Sequence, residues 1–143
     1  MKFAVDAFGA DKGEAVVVEG CVRALKEMPS LEIVLVGDLD VINPMLEKMD
    51  YDKSRLELVD AKDKITNNDV PTVAIKTKKQ SSMVVAFDLC KQREDVCGIV
   101  SCGSTGALLT GGERKICPLY NSFALQLYMQ RTVRCSLISV LHS

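Results

Sequence analysis

The chain has 143 residues and a net charge of −1; 26% of its residues are charged and 48% are hydrophobic. This is the composition of one ordinary globular domain, and it excludes intrinsic disorder. A nearly neutral chain also has no overall attraction to nucleic acid or acidic membranes, so any anion site must be local.

The N-terminus lacks the apolar core of a secretion signal. Met1 and Lys2 are followed by only three apolar residues before Asp6. The longest apolar runs, Ala15–Val18 and Ile33–Val36, are far too short to span a bilayer. We therefore expect a cytoplasmic protein.

The cysteines suggest disulfide bonding or zinc binding at first sight. None forms a C-x-x-C pair, however, and the single histidine, His142, is next to the C-terminus. Metal ligands normally occur in clustered spacings, so we expect no metal. In a cytosolic chain such residues are mostly small buried hydrophobes, and this is our prediction for Cys21, Cys90, Cys97, Cys102, Cys117 and Cys135.

The first 60 residues alternate short apolar runs with helical periodicity. From Glu14 onward, apolar residues recur at the i, i+3, i+4 spacing of an amphipathic helix, which Pro29 ends. The predicted elements are a strand at Lys2–Asp6, a helix at Glu14–Met28, a strand at Glu32–Val36, a helix at Val41–Met49 and a strand at Leu56–Val59.

The next segment begins with a polar loop at Asp60–Val70. The pattern becomes helical from Thr72, and a strong helix is predicted over Ser82–Gln92. A fourth strand covers Gly98–Ser101, or begins already at Val96. Strands that are continuous apolar runs and alternate with helices predict an α/β fold, with a mostly parallel sheet covered by helices on both faces.

Composition changes sharply after Gly112. All nine glycines and 18 of the 19 acidic residues lie at or before the boundary between Gly112 and Glu113. We therefore predict one domain at 1–112 and an atypical tail at 113–143, and we hypothesise that the tail is out of frame or unrelated. The alternative is a short amphipathic extension around Leu125–Val133.

Ligands of open parallel sheets bind outside the carboxyl ends of the strands. The loops at those ends are Ala7–Gly13, Gly37–Asp38 and Cys102–Gly106, and glycine and small hydroxyl residues concentrate there. This coincidence predicts a site at that edge.

The loop after the fourth strand suits an anion. Gly103 and Gly106 allow close approach to the backbone, and Ser104 or Thr105 could cap the helix that follows. Exposed amides at a helix N-terminus bind phosphate or a phosphoryl oxygen. The alternative is a plain strand-to-helix turn with an N-cap.

The loop after the first strand holds two carboxylates, Asp6 and Asp11. They could orient a substrate or a lysine, or they could cap the next helix and hydrogen-bond the turn. Gly9 and Gly13 do not fit the dinucleotide-binding pattern, and no stretch fits Walker A.

A basic cluster at Lys76–Lys79 precedes a helix for which Ser81 or Ser82 is the candidate N-cap. The lysines could attract phosphate or an acidic carrier protein, although a solvated face is the commoner meaning. Cys102 lies before a predicted helix start, where the pKa of a thiol tends to fall. A covalent role is disfavoured because no histidine is near it in sequence.

Three segments carry recognisable motifs in a fixed order. Residues 1–11 end in Asp-Ala-Phe-Gly-Ala-Asp, residues 78–83 read Lys-Lys-Gln-Ser-Ser-Met, and Ser101–Ala107 reads Ser-Cys-Gly-Ser-Thr-Gly-Ala. Together they resemble the bacterial phosphate acyltransferases of phospholipid synthesis. The resemblance covers 1–112, and the family continues well beyond this chain's length, so later strands and part of the site are missing.

The chain departs from the family's pattern at two positions in these motifs. Ala10 stands where glycine is usual, and it would strain the turn if that position requires positive φ. Cys102 replaces alanine, which is a small change. The proline often found near position 14 is also absent, and Glu14 stands there.

The resemblance implies a fold like that of the isocitrate/isopropylmalate dehydrogenases, incomplete in this chain. It implies attack of inorganic phosphate on the thioester of an acyl-acyl-carrier-protein, with acyl phosphate as product and no metal or organic cofactor. It also implies a homodimer with peripheral membrane association. The implied substrate-binding or phosphate-binding residues are Asp6, Gly9, Asp11, Ser81, Ser82, Gly103, Ser104, Thr105 and Gly106.

Two other functions remain open from the sequence. One is a phosphotransacetylase-like enzyme, in which coenzyme A replaces the carrier protein. The other is an inactive truncated fragment or a non-catalytic anion-binding α/β module. The combination of three motifs favours the acyltransferase over both.

Overall fold

The described part of the chain, residues 1–10 and 13–116 of a computed structural model, forms a parallel sheet with helices on both faces. This confirms the predicted α/β class. The strands are β1 (Lys2–Asp6), β2 (Glu32–Gly37), β3 (Leu56–Asp60) and β4 (Val96–Ser101); the helices are α1 (Glu14–Glu27), α2 (Leu39–Leu46), α3 (Pro71–Thr77), α4 (Ser82–Gln92) and α5 (Thr105–Gly111). The strand order in the sheet is β3-β2-β1-β4.

The helix α2 begins earlier than predicted because of a side-chain cap. The carboxylate of Asp38 accepts a hydrogen bond from the Asp40 N–H at 3.0 Å, which satisfies an otherwise unpaired amide of the first turn. The prediction of Val41–Met49 was therefore about two residues late at its start. The other predicted elements match to within a residue or two at their ends.

The two central strands are buried on both faces. On one face, Val5 and Leu35 pack beneath α1 and α2. On the other, Ala4, Val34 and Val36 pack with Ala86 of α4. Continuous apolar runs are needed at such doubly covered strands, which is why the sequence pattern predicted them.

The helix α5 lies close against α4. A Cβ built on Gly111 would overlap the ring of Phe87, which is fully buried. This close approach requires glycine and sets the distance between the two helices.

Gly111→Ala is expected to lower the free energy of unfolding by about 2 kcal/mol. Overpacking costs about 3 kcal/mol at its upper range, and the better helix propensity of alanine offsets about 1 kcal/mol of it. Urea unfolding measures the loss. Gly20→Ala, on the exposed face of α1 where nothing lies within 4 Å of the added Cβ, should instead stabilise the protein. An equal loss of stability in both variants would contradict the close contact between Gly111 and Phe87.

Two of the cysteines are not in the core. Cys21 is buried as predicted and Cys90 is half-buried, but Cys97 and Cys102 are exposed. The core prediction was wrong for these two because Cys97 lies on the outer strand β4 and Cys102 in a loop. Cys117 and Cys135 lie outside the described residues.

The predicted boundary after Gly112 falls at the end of α5. A π-helical turn at Gly112–Ile116 continues from that helix, and Lys115 Nζ donates to Asp88 Oδ1 at 2.6 Å. The rest of the predicted tail lies outside the described residues. None of the helices in the described residues combines the length and the hydrophobicity that a transmembrane segment needs.

Candidate functional site

The loops after β1 and β4 meet at the carboxyl edge of the sheet. Gly9 has a φ of 108°, and a Cβ there would overlap the backbone of Gly103. Beside this contact lies a cleft of about 220 Å³. It is lined by Phe8, Gly9, Ala10, Gly13, Ile65, Thr66, Asn67 and Ser104.

A buried carboxylate connects three segments below this contact. Asp6 is 2% exposed, and its Oδ1 accepts hydrogen bonds from Ser82 Oγ at 2.5 Å and from the Phe8 N–H at 3.1 Å. Its Oδ2 accepts from Ser101 Oγ at 2.7 Å. Ser101 Oγ in turn accepts from the Gly103 N–H at 3.1 Å. Asp6 therefore fixes the β1 loop, the start of α4 and the β4 loop relative to one another.

The two predicted serines of the second motif have different roles. Ser81 is the N-cap of α4, because its Oγ accepts from the Val84 N–H at 3.4 Å. Ser82 is turned instead toward the Asp6 carboxylate. Both are buried, and neither lines the cleft.

Burial raises the pKa of the Asp6 carboxyl above its ordinary value of 3.8, although the hydrogen bonds from Ser82, Ser101 and Phe8 act in the opposite direction. The folded protein consequently binds the proton of the Asp6 carboxyl more tightly than the unfolded chain does. The stabilising contribution of the protonated form is fully present below a pH of about 3.8, and it is lost as the pH rises through the raised pKa.

The pH dependence of stability should reveal this titration. We expect the difference in unfolding free energy between the wild type and Asp6→Asn to fall as the pH rises above about 3.8, and then to level off. Asparagine cannot lose a proton, so the substitution removes the part of the pH dependence of stability that comes from the titration of Asp6. The measurement is chemical unfolding of both proteins across the pH range, with Asp60→Asn as the control. A difference that does not vary with pH would contradict the assignment.

The helix α5 begins at the cleft. Ser104 is its N-cap, with Oγ accepting from the Ala107 N–H at 3.4 Å, and it lines the cleft. Thr105 and Gly106 are exposed at the first turn. The capping role predicted for Ser104 or Thr105 is thus confirmed for Ser104.

The lysines of the basic cluster are not equivalent. Lys78 Nζ donates to Asp69 Oδ2 at 2.7 Å and to the Lys64 carbonyl at 2.9 Å, and the ion pair lowers the pKa of Asp69 to about 2. Lys78 is therefore engaged within the fold, whereas Lys76 and Lys79 are exposed.

A lysine that sequence reasoning missed lies closer to the cleft. Lys64 Nζ is 2.6 Å from Glu14 Oε1 and 4.8 Å from the centroid of the Phe8 ring. This pair joins the loop after β3 to the start of α1. No motif signalled it, because the two partners are 50 residues apart in sequence.

Cys102 does not have the lowered pKa that its position suggested. Desolvation, and next the nearby Asp6 carboxylate, raise the pKa of its thiol. A thiolate nucleophile is therefore disfavoured here. Within the described ranges, no three His, Cys, Asp or Glu side chains are grouped as a metal site would require.

The predicted residues divide into three groups. One edge of the sheet brings together Asp6, Gly9, Ser82, Gly103 and Ser104. Next to them lie Ser81, Thr105 and Gly106. The remaining residue, Asp11, is outside the described residues. Ala10 does not adopt positive φ, since no non-glycine residue among those described does, so the condition under which it would strain the turn is not met. The loop at Gly37–Asp38 serves to cap α2.

Comparison with protein families identifies the group to which the chain is related. The family model described as "Fatty acid synthesis protein" matches residues 1–121. The chain belongs to this family. The match confirms the resemblance indicated by the motifs and extends it slightly beyond Gly112.

Members of the family with curated names support this assignment. The chain is 42% identical over 111 residues to the phosphate acyltransferase of Clostridium novyi, covering 78% of this chain and 33% of the relative. It is 47% identical over 108 residues to that of Acetivibrio thermocellus, covering 75% and 31%. The phosphate acyltransferase of Clostridium perfringens is 45% identical over 111 residues, covering 78% and 32%. The chain thus spans about a third of the length of these relatives.

Proposed function

We propose that the chain is part of a cytoplasmic phosphate acyltransferase, which converts an acyl-acyl-carrier-protein and inorganic phosphate to acyl phosphate for phospholipid biosynthesis. The observation that carries the proposal is the meeting of its motif segments at one cleft-bearing edge of the sheet. The names of its relatives support the reaction class.

The chemistry requires positioning more than proton transfer. Phosphate is already anionic at neutral pH, so one of its oxygens can attack the thioester carbonyl carbon directly. A C–O bond forms, the carbonyl oxygen gains negative charge, and the C–S bond then breaks. The carrier leaves as a thiolate that takes up a proton. The site must therefore hold two reactants in line and stabilise an oxyanion.

The residues at the cleft could meet these requirements. The Ser104 hydroxyl and the first amides of α5, at Thr105 and Gly106, supply donors at a helix start. In our proposal these donors hold phosphate, and Gly9, which lies against Gly103, shapes the wall of the cleft. Asp6 and Ser82 hold the loops in place without contacting substrate. Asp11 and Ser81 complete the proposed set.

Further features of the whole protein belong to the same proposal. They are acyl carrier protein as the acyl donor, a homodimer, peripheral association with the membrane and a fold like that of the isocitrate/isopropylmalate dehydrogenases. The separation of residues 113–143 from the domain at 1–112 also stays a proposal.

The activity can be tested with a palmitoyl-carrier thioester, inorganic phosphate and no nucleotide. We expect the release of free carrier thiol to require phosphate and to fall at least roughly tenfold in Ser104→Ala. Ser54→Ala, in an exposed turn that does not line the cleft, is the control. Thiol release from acetyl-coenzyme A alone would favour the phosphotransacetylase-like alternative. Phosphate binding without turnover would favour an inactive fragment or a non-catalytic module.

A further inference from the structure

The cleft is lined by two loops that are distant in sequence. One is the loop after β1, which contributes residues 8–10 and Gly13, and the other is the loop after β3, which contributes residues 65–67. Ser104 is the remaining lining residue. The width of the cleft therefore depends on the contacts that hold these two loops at a fixed separation.

The loop after β3 is anchored at the end of α3 and the start of α4. Lys78 Nζ donates to the Lys64 carbonyl at 2.9 Å, and the Ser82 N–H donates to the Asp63 carbonyl at 3.2 Å. These bonds hold the backbone directly before the lining residues of this loop. This side of the cleft therefore has supports that do not involve the loop after β1.

One side chain links the two sides of the cleft. Lys64 directly precedes the lining residue Ile65, and Glu14 directly follows the lining residue Gly13. Lys64 Nζ donates to Glu14 Oε1 at 2.6 Å and lies 4.8 Å from the centroid of the Phe8 ring, whose face attracts a cation at that distance. Within the described residues, no other hydrogen bond joins residues 7–14 to residues 61–70.

The pair between Lys64 and Glu14 is better shielded from solvent than a typical surface ion pair. Their side chains are 37% and 18% exposed, whereas those of the Arg23–Glu27 pair on the same helix are 61% and 60% exposed. The hydrogen bond from Lys64 lowers the pKa of the Glu14 carboxyl, so this carboxylate is ionised at neutral pH. Because water and salt screen a shielded pair less, the pair with Glu14 restrains its surroundings more than the exposed pair does.

We propose that Lys64 is a positioning residue for phosphate binding: held by Glu14, its ammonium group fixes the Phe8 ring and keeps the two loops at the separation that the anion requires. Lys64 acts through Phe8 and the loops and does not touch the phosphate. The identity of the ligand rests on the proposed function, whereas the link between the loops does not.

The affinity for inorganic phosphate tests this role. Phosphate is titrated into this chain and into each variant, and binding is followed by the NMR shift of the Ser104 amide. We expect Lys64→Met and Glu14→Gln each to raise the Kd at least roughly threefold, because a cleft that is not held in its binding geometry must be ordered on binding. Lys64→Arg should stay within about twofold of the wild type, since arginine also pairs with carboxylates and stacks on aromatic rings.

The direction of the two effects separates positioning from direct attraction. If Lys64 acted as a charge on the phosphate, Lys64→Met would weaken binding and Glu14→Gln, which removes a negative charge, would tighten it. Opposite directions would therefore overturn the proposal. Glu27→Gln is the matched control, because it removes the same charge from the same helix in an exposed pair. A loss of affinity in Glu27→Gln as large as that in Glu14→Gln would also overturn the proposal.

The position of Lys64 can be measured without any ligand. Its ammonium group lies against the face of the Phe8 ring, so the ring current should shift the NMR signals of the neighbouring Lys64 methylene protons. We expect Glu14→Gln to lose this shift and Glu27→Gln to keep it. A shift that persists in Glu14→Gln would overturn the proposal, whether or not phosphate binds.

The outcomes for the proposed function and for Lys64 can be told apart. If the wild type bound no phosphate, the proposed phosphate site and the role of Lys64 would both be overturned. If the wild type bound phosphate and Lys64→Met bound it equally well, only the role of Lys64 would be overturned.

Discussion

Replacing Gly9 by alanine is expected to lower the free energy of unfolding by about 4 kcal/mol, the largest effect of any single substitution considered for this chain. The φ of 108° is open only to glycine at low cost, and strain of this kind costs about 1 to 3 kcal/mol. The added Cβ would also overlap the Gly103 backbone, which cannot move aside as a flexible side chain could. The two loops would be forced apart, which would distort the cleft beside their contact.

Two matched glycine substitutions separate the causes of this loss. Gly13 has a φ of 83° but nothing within 4 Å of an added Cβ, so Gly13→Ala measures backbone strain alone. Gly20→Ala, in open space on α1, measures neither strain nor overlap. Urea unfolding should rank the losses as Gly9, then Gly13, with a gain at Gly20. If Gly9→Ala cost no more than Gly13→Ala, the contact between the loops would be ruled out.

Asp6→Ala is expected to cost about 3 kcal/mol. The substitution leaves the Ser82 and Ser101 hydroxyls and the Phe8 N–H without their acceptor in a buried place, and it leaves a cavity as well. The raised pKa of Asp6 shows that its ionised form is held at some cost, which partly offsets the loss. Broken hydrogen bonds outweigh that relief because three donors are affected at once.

The control for Asp6→Ala is Asp60→Ala at the same edge of the sheet. Asp60 ends β3, is exposed, and accepts from the Leu39 N–H at 3.2 Å. Its loss should cost under about 1 kcal/mol. In addition, hydrogen exchange at the Gly103 amide should accelerate in Asp6→Ala only, because Ser101 would lose the acceptor that orients it. Similar losses in both variants would argue against the network.

Much of the fold could be predicted because its signals are local. The doubly covered strands are short apolar runs, and the amphipathic helix α1 is bounded by Pro29. The edge at which Gly9 and Gly103 lie was also predictable, since all parallel strands present their carboxyl ends on the same side. The start of α2 was missed because the capping side chain of Asp38 had been placed in a loop.

The connections within the site were not predictable from local patterns. Ser101 is opposite Asp6 only because β4 is next to β1, and nothing in the sequence specifies the order β3-β2-β1-β4. The pairing of Lys64 with Glu14 depends in the same way on how the loop after β3 folds over α1. Likewise, Ser82 had the same sequence signal as Ser81, and only the packing of α4 on the sheet distinguishes their roles.

The hydrogen-bond partners of Asp6 are distant in sequence, and this affects the order of events during synthesis. The two hydroxyl groups that donate to Asp6 are 76 and 95 residues further along the chain, so the hydrogen-bond network cannot form until Ser101 has left the ribosome. Contacts this distant in sequence carry a large entropic cost before they stabilise anything, and they form late. Nascent chains that end before β4 should therefore expose the Asp6 carboxylate to water, whatever helices they have already formed.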